Sequence, residues 1–284
     1  MRTVRTVAEL REALAPARRE GRSIGLVPTM GALHEGHLSL LRAAREANDV
    51  VVMSLFVNPA QFGPSEDLDR YPRDEERDLA LATAEGADLV YAPALEEVYP
   101  EGFATTVEVA GLTDVLCGDP GRRGSEHFRG VTTVVAKLLN SVGPDRCYFG
   151  QKDAQQAIVI RRMASDLDFD AEIVVRPTVR EPDGLAMSSR NAYLDAEARE
   201  RAAALNRGLT AAAAAARDGG LTAEAIAAAR AELDAAGIEP EYLEARDASD
   251  LTPASSFNGR PVLVAVAADV GGARLIDNVI IGGQ

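Results

Sequence analysis

The chain has 284 residues, of which 46% are hydrophobic and 26% are charged, a composition typical of a soluble globular protein with one large or two modest domains. Tryptophan is absent and aromatic residues make up only 5%, which argues against a platform that stacks single-stranded nucleic acid. The formal net charge of −14 would repel a polyanion, so no nucleic-acid partner is expected. Small anionic substrates stay possible wherever basic residues cluster locally.

The two cysteines and the N-terminal segment indicate a reducing compartment. Cys117 and Cys147 make neither a disulfide framework nor a zinc motif, and we interpret them as reduced structural thiols. The first 21 residues lack the continuous apolar core of a signal peptide, and no run approaches the roughly 18 apolar residues of a membrane span. The sequence therefore predicts a cytoplasmic protein with no membrane partner.

Helix and strand signals alternate through the first 91 residues. The segment 6–20 has helical spacing of Val7, Leu10 and Leu14 and predicts an amphipathic N-terminal helix. Further helices are predicted from a turn within 32–36 to residue 47 and over 72–86, and strands over 24–27, 50–57 and 87–91. The run 50-VVVMSLFV-57 is apolar without alternation, as in a parallel strand covered on both faces.

The same rhythm resumes after an irregular segment over 99–130. A helix is predicted over 131–142, a strand over 147–150, a helix over 154–167 and a strand over 171–179. This alternation predicts an α/β fold, a Rossmann-like doubly wound parallel sheet, over residues 1–178.

The texture changes after residue 179, where a second, smaller α+β C-terminal domain over 179–284 is predicted. Its alanine-rich stretch 195–236 is interpreted as two helices separated by 218-DGG-220. Three strands are predicted to follow, over 242–245, 262–267 and 275–281.

Two of the three histidines lie in 28-PTMGALHEGH-37, where a strand turns into a helix. If the helix opens within 32–36, His34 and His37 stand at i and i+3 on one face of its first turn. A helix N-terminus offers free N–H groups and partial positive charge, which suits phosphate, and Gly31 and Gly36 allow close approach of the backbone. The alternative is purely structural: one exposed histidine and one capping histidine.

A second motif, 184-GLAMSSRN-191, combines two hydroxyls with one guanidinium among small residues. A loop of this composition can close over a triphosphate, with Ser188 and Ser189 donating hydrogen bonds and Arg190 supplying charge. The structural alternative is an ordinary N-cap, Ser189, before a helix that begins near Asn191.

Two further motifs follow predicted strands, at the edge of the sheet where ligands bind. In 149-FGQKDAQQ-156, Lys152 lies where a lysine contacts phosphate, and Gln156 suits a hydroxyl or a carboxylate. In 56-FVNPAQF-62, Asn58 and Gln61 offer amides beside two apolar rings, which suits a small, partly apolar acid. Capping by Asp153 and a plain polar loop are the structural alternatives.

A basic cluster, 122-RRGSEHFRGVTT-133, contains the third histidine, His127, and is predicted to be a loop. A solvated charged loop would explain it alone. Because every histidine of the chain lies within one of these five motifs, the motifs together indicate a nucleotide site in which two imidazoles hold ATP phosphates.

These motifs resemble a known family. The HxGH pattern with a KMSKS-like loop downstream is the signature of the class I nucleotidyltransferase superfamily. The fuller set, which adds FVNPAQF, Tyr71-Pro72-Arg73, HFRGVTT, FGQKDAQQ and REPDGLAMSSRN, closely resembles the pantoate–beta-alanine ligases over essentially the whole chain. The resemblance implies that (R)-pantoate, beta-alanine and ATP are condensed to pantothenate, AMP and pyrophosphate through pantoyl adenylate, within coenzyme A biosynthesis.

The resemblance also implies roles for particular residues. His34, His37, Lys152 and Arg190 would be catalytic, and His37 is the family's usual candidate for a proton donor. Asn58, Gln61 and Gln156 would bind substrate. ATP would contact Met30, Gly31, Ala32, Leu33, His34, Glu35, Gly36, His37, Gly150, Gln151, Lys152, Asp153, Val179, Met187, Ser188, Ser189 and Arg190.

Mg²⁺ would bridge the phosphates without a dedicated protein site, and the family is typically a homodimer. One departure is visible, because many relatives have Arg-Pro-Gly-His-Phe where this chain has 121-GRRGSEHF-128. Which of Arg122 and Arg123 replaces the family's arginine is left open.

Three rival interpretations explain part of this pattern. An adenylyltransferase of the same superfamily would share HxGH but would not need an acid pocket. An aminoacyl-tRNA synthetase fits poorly with the small size, the acidic charge and the lack of an anticodon-binding extension. A non-catalytic nucleotide-binding regulator would be expected to have lost some of Lys152, Arg190 and the two motif histidines.

Overall fold

Six parallel strands form the sheet of the first structural unit in the computed structural model, which describes residues 1–64, 66–216, 220–257 and 259–282. Their spatial order is β1-β4-β3-β2-β5-β6, and all neighbouring pairs are parallel. The strands are β1 (Arg2–Val4), β2 (Ile24–Thr29), β3 (Val50–Leu55), β4 (Leu89–Tyr91), β5 (Arg146–Gly150) and β6 (Glu172–Arg176). The predicted α/β, Rossmann-like sheet is confirmed.

The strand order reverses at β2, since the chain runs outward through β3 and β4 and then returns to place β5 on the other side of β2. In open parallel sheets ligands bind outside the carboxyl ends of the strands at such a switch point. Here the segment after β2 contains both motif histidines.

Helices connect these strands: α1 (Val7–Arg19), α2 (Glu35–Ala47), α3 (Glu75–Ala84), α4 (Leu95–Val98), α5 (Ser125–Val142) and α6 (Ala154–Asp166). Thr6 and Glu9 close a capping box at the start of α1. On one face of the sheet, α2 packs its buried Leu41 and Ala44 in a cluster with Val51, Met53 and Val90. Burial of this apolar surface fixes α2, and with it the turn that precedes α2.

One local prediction for this unit was wrong, and two short elements were not predicted. Helix α5 begins at Ser125, so residues 125–130 are helical and the basic cluster is not a loop throughout. The reason is a buried stripe that continues upstream through Phe128 and Val131, beginning after Gly124 at φ +84°. The three-residue β1 and the one-turn α4 were not predicted, because neither is long enough to show a period.

The second unit contains a three-stranded antiparallel sheet in the order β7-β8-β9, and three α-helices lie between residue 195 and that sheet. Its elements are α7 (Ala196–Ala202), α8 (Ala204–Ala215), α9 (Thr222–Ala235), β7 (Tyr242–Asp247), β8 (Val262–Val270) and β9 (Ala273–Ile281). Leu205, Leu209 and Leu233 from the helices are buried with Val264 and Val266 from β8. The three predicted strands are confirmed.

The prediction of two helices in this unit was wrong, since α7 and α8 are separate. The two helices are separated by Ala203 alone, which has a right-handed helical conformation. Since neither a glycine nor a proline lies at this position, the sequence contains no signal of the break. Of the predicted separator 218–220, Asp218 and Gly219 lie outside the described residues.

Two short stretches from earlier in the chain, Val115–Cys117 and Gln151–Ile158, pack with the second unit. Gln155 holds the first of them, since its side-chain Oε1 accepts from Cys117 N–H at 3.1 Å and its Nε2 donates to Val115 O at 2.7 Å. Whether residues 1–178 and 179–284 act as separate domains stays a prediction. Over the described parts of the chain, no helix combines the length and apolar character needed to cross a bilayer.

Candidate active site

The turn between β2 and α2 is held by a buried carboxylate. Asp78 of α3 is 1% exposed, and its two oxygens accept the N–H groups of Ala32 and Leu33, each at 2.8 Å. Gly31 and Ala32 both have positive φ, +83° and +50°. A Cβ at Gly31 would lie 2.8 Å from Asp78 Oδ2, so glycine is required for the carboxylate to approach.

The two motif histidines cap α2 reciprocally, and we call this pair the histidine cap. His34 is the N-cap residue, with extended φ −134° and ψ 174°, and its Nδ1 accepts from Gly36 N–H at 3.1 Å. His37 lies in the first turn, and its Nδ1 accepts from His34 N–H at 3.4 Å. The expectation that both side chains stand on the first turn was wrong for His34, because its ring satisfies an N–H of that turn from outside.

The histidine cap fixes which nitrogen of each ring is a donor. Because Nδ1 of both rings accepts a backbone hydrogen bond, each neutral imidazole has its proton on Nε2. The ring centroids are 4.2 Å apart with planes tilted by 39°, and both side chains are half-buried. Two Nε2–H donors at the N-terminus of the 13-residue α2 suit an anionic oxygen.

The segment after β3 is organised by Asn58, which is 1% exposed and caps the short 3-10 helix Pro59–Gln61. Its Nδ2 donates to Gln61 Oε1 at 3.1 Å and to Gly130 O at 3.2 Å, and its Oδ1 accepts from Tyr99 O–H at 2.9 Å. Asn58 was predicted to bind substrate, but its Nδ2 and Oδ1 atoms make these hydrogen bonds within the protein. Tyr99 is embedded in this network, and burial raises its pKa to about 12.

Gln61 is half-buried, and its Nε2 donates to Met30 Sδ at 3.1 Å. This contact brings Met30 of the β2 end and Gln61 of the β3 end together, as the sequence predicted for the carboxyl edge of the sheet. The amide group of Gln61 is thus held from both sides, by Met30 and by Asn58.

Helix α5 closes on this segment through Gly130. A Cβ at Gly130 would lie 2.1 Å from Ala60 O, so only glycine permits the contact. His127 Nδ1 lies 2.7 Å from Gln61 O, while Arg123 Nη1 lies 3.2 Å from His127 Nε2. Since the guanidinium can only donate, the His127 ring donates from Nδ1 to the carbonyl.

Arg123 of the basic cluster is anchored by an acidic side chain, and the choice between Arg122 and Arg123 as the family's arginine stays open. Arg123 forms a two-pronged ion pair with Glu66, and both side chains are largely buried. Arg123 is thus linked to the Gln61 segment through His127.

In the second unit, Lys152 lies in the 3-10 helix Gln151–Asp153, two residues after β5 ends. Its side chain is 19% exposed, and Nζ lies 3.9 Å from Asp153 Oδ1. Asn278 of β9 holds this turn, because its Nδ2 donates to Gln151 O at 2.8 Å and to Lys152 O at 2.9 Å. Gln156 follows on α6 and is half-buried.

The MSSR motif emerges from a tight hairpin in which Met187 N–H donates to Val179 O at 3.0 Å. Ser188 Oγ accepts from Arg190 N–H at 3.3 Å and caps the 3-10 helix Ser189–Tyr193. The structural alternative predicted Ser189 as the N-cap. This was wrong by one residue, because the 3-10 helix begins at Ser189 and Ser188 is its N-cap. Ser188, Ser189 and Arg190 are all half-buried.

Asp78, Asp277 and Asn278 were missed by the sequence analysis. Each is nearly fully buried and acts on the main chain or on another side chain far away in sequence. In the sequence, Asp78 is one more acid of a charged helix. Among the residues that the structure covers, no group of three or more histidine, cysteine or acidic side chains could hold a metal ion.

The comparison with known proteins decides the family. The family model described as Pantoate-beta-alanine ligase matches residues 2–280. The chain belongs to the pantoate–beta-alanine ligase family. A pantothenate synthetase of Moorella thermoacetica is 56% identical over 283 residues, covering 99% of this chain and 99% of the relative.

Solved structures of pantoate–beta-alanine ligases agree with this fold. The crystal structure of pantothenate synthetase from Thermus thermophilus has a TM-score of 0.92 at 51% identity, covering 98% of this chain and 99% of the other. A pantoate–beta-alanine ligase from Francisella tularensis, complexed with beta-gamma ATP and beta-alanine, has a TM-score of 0.80 at 30% identity, covering 99% and 97%.

The chain is accordingly an enzyme that forms pantothenate from pantoate and beta-alanine at the expense of ATP. The rival activities considered from the sequence are thereby set aside.

Proposed function

We propose that the histidine cap binds the ATP phosphates in the first half-reaction of this ligase. A pantoate carboxylate oxygen forms a bond to the α-phosphorus, and the bond from that phosphorus to the bridging oxygen of pyrophosphate breaks. Negative charge builds on the phosphate oxygens as pyrophosphate leaves. Two Nε2–H donors fixed by backbone hydrogen bonds stabilise that charge without reorganising.

This reciprocal capping is the observation that carries the proposal. No atom of the first step requires a proton, because both the nucleophile and the leaving group are anions. We therefore assign hydrogen-bond donation, and not formal proton transfer, to His37.

In the second half-reaction the amine of beta-alanine attacks the carbonyl carbon of pantoyl adenylate, the bond from that carbon to the AMP oxygen breaks, and the nitrogen loses a proton to water. The half-buried Gln61 amide, held by Met30 and Asn58, supports its assignment as a group that binds the pantoyl moiety. Gln156 is assigned to the same substrate, as the resemblance to the family implies. Asn58 contributes through Gln61, since its own polar atoms are used within the protein.

Lys152 and Arg190 are proposed to neutralise the phosphates, and Ser188 and Ser189 to donate hydrogen bonds to them. The partial burial of Lys152 supports this role, because a less hydrated ammonium interacts more strongly with an anion. Mg²⁺ is proposed to arrive on the ATP phosphates, where it supplies further neutralising charge. A homodimer is proposed from the resemblance to the family alone, and the cytoplasmic location predicted from the sequence is kept as a proposal.

The test is pyrophosphate release from ATP and Mg²⁺ with and without (R)-pantoate, followed by addition of beta-alanine. We expect release only with pantoate, and AMP and pantothenate only after beta-alanine. Pyrophosphate release that ignores pantoate, or AMP release without beta-alanine, would contradict the two-step proposal. Sedimentation velocity tests the homodimer.

A further inference from the structure

Two neighbouring buried residues of β9 hold the two segments of the second unit that carry the assigned phosphate-binding residues. Asp277 and Asn278 are each 3% exposed. Strand β9 is at the edge of its sheet, so its other side is open to segments that are not strands. Neither residue belongs to a motif used above.

Asn278 acts on the lysine turn. Its Nδ2 bridges the carbonyl oxygens of Gln151 and Lys152 at 2.8 and 2.9 Å, and its Oδ1 lies 3.4 Å from Gln151 Nε2. Both protons of one amide nitrogen are therefore used on two consecutive carbonyls. This fixes the backbone from which the Lys152 side chain projects.

Asp277 acts on the hairpin that precedes the MSSR motif. Its carboxylate pairs with both terminal nitrogens of Arg180, at 2.6 and 3.1 Å, and Arg180 Nη1 also donates to Gly184 O at 3.0 Å. The same carboxylate accepts the Asn278 N–H at 2.8 Å. A bidentate arginine–carboxylate pair of this kind restricts orientation as well as distance.

We infer that Asp277 and Asn278 form a positioning pair that sets Lys152 and the MSSR segment for phosphate binding. Neither side chain is assigned a contact with substrate, so both are positioning residues. The inference rests on the proposed role of Lys152. It goes beyond that role because it identifies the residues that orient the Lys152 side chain.

The chain offers an internal control, because Lys137 and Lys152 are its only lysines. An amine-reactive acetylating reagent followed by peptide mass spectrometry reports both in one sample. ATP and Mg²⁺ are added to each variant at the concentration that calorimetry shows to fill about 90% of the sites. In the unsubstituted enzyme this should slow the acetylation of Lys152 about tenfold. The rate at Lys137 should not change.

In Asn278→Ala we expect ATP protection of Lys152 to fall to about twofold or less, because a freed turn no longer directs the amine at the phosphates. Asn278→Asp should lose the protection to the same extent, because a carboxylate cannot donate hydrogen bonds to the carbonyl oxygens of Gln151 and Lys152. Asn48→Ala is the matched control. Asn48 is a buried amide of the first unit that donates to Ala44 O and Tyr148 Oη, so its removal should lower thermal stability and leave the protection unchanged.

Full protection of Lys152 in both Asn278 variants would overturn the inference for Asn278. Absence of protection in the unsubstituted enzyme would remove the Lys152 role, and with it the inference. Pantoate-dependent pyrophosphate release in that same sample would show that the two-step chemistry stands on its own.

Asp277 is tested separately. Asp277→Asn removes the charge that orients Arg180 and should raise the KM for ATP about tenfold, with protein stability followed in parallel. The KM for beta-alanine should stay within about twofold. An unchanged KM for ATP would exclude Asp277 from the pair.

Discussion

At the scale of single residues, most assigned roles depend on atoms whose hydrogen bonds are set by the main chain. The histidine cap is the clearest case, since each Nδ1 accepts an N–H of its own segment. The chemistry at Nε2 follows from that geometry and needs no neighbouring acid.

Lys152→Ala should lower the rate of pantoate-dependent pyrophosphate release by roughly 10²–10³-fold, the loss typical of removing one fixed charge-stabilising group. The fold should persist, because the side chain lies at a turn and outside the buried clusters. Single-turnover kinetics and circular dichroism check both parts. Lys137→Ala is the control, and normal turnover in folded Lys152→Ala would refute the role.

Gln61→Ala should raise the KM for pantoate about tenfold or more while changing that for ATP less than about twofold, because an amide that binds a substrate hydroxyl or carboxylate is lost. Steady-state kinetics with each substrate varied in turn measures the two constants. Equal effects on both would count against an acid pocket at Gln61.

At the scale of elements, the contact between α5 and the 3-10 helix Pro59–Gln61 has no tolerance for a larger side chain. Gly130→Ala would place a Cβ 2.1 Å from Ala60 O, and either α5 or the turn must move. We expect a loss of about 1–3 kcal/mol in the free energy of unfolding and a raised KM for pantoate.

Urea unfolding and pantoate kinetics test this together. Gly63→Ala is the control nearby, since its added Cβ meets Glu66 at an ordinary 3.7 Å, and it should change stability by less than about 0.5 kcal/mol. Equal stability of the two variants would show that α5 is not pressed against the turn.

Helices and strands were predicted well from the sequence where a helical repeat of apolar residues or a continuous apolar run was long enough to recognise. Strands β2 and β3 were predicted because their buried residues form continuous apolar runs in the sequence. Helix α2 was predicted because its apolar residues recur at helical spacing. The start of α5 was missed, because the charged residues Glu126 and Arg129 flank Phe128, the first buried side chain of the helix.

The residues that position the site could be predicted only in part, for a different reason. Motifs identified His34, Gln61 and Lys152 from local composition. Asp78 and Asn278 act across 45 and 126 residues of chain on backbone atoms, which leave no mark on the sequence of either partner. Such pairings exist only once the topology has formed.

At the scale of the whole molecule, one buried and one half-buried tyrosine should limit stability at alkaline pH. Burial raises the pKa of Tyr91 and of Tyr99 to about 12 in each case, against about 10 in the unfolded chain. Between these values the unfolded state loses protons that the folded state keeps, so the contribution to stability is complete below about pH 10 and is lost as pH rises through about 12.

Urea unfolding at intervals between about pH 8 and about pH 11.5 measures this slope. Tyr91→Phe should make the decline shallower, because one titrating group is removed. A slope that is unchanged in Tyr91→Phe would show that this tyrosine does not titrate differently in the folded and unfolded chains.

The histidine cap limits how this enzyme can vary over evolutionary time. Each imidazole supplies one nitrogen to the start of α2 and keeps the other as a donor, and His37 caps the very residue that carries the other ring. Replacing either histidine would disturb a helix terminus and a ligand-binding group in one step. Helix integrity and phosphate chemistry therefore depend on the same two side chains.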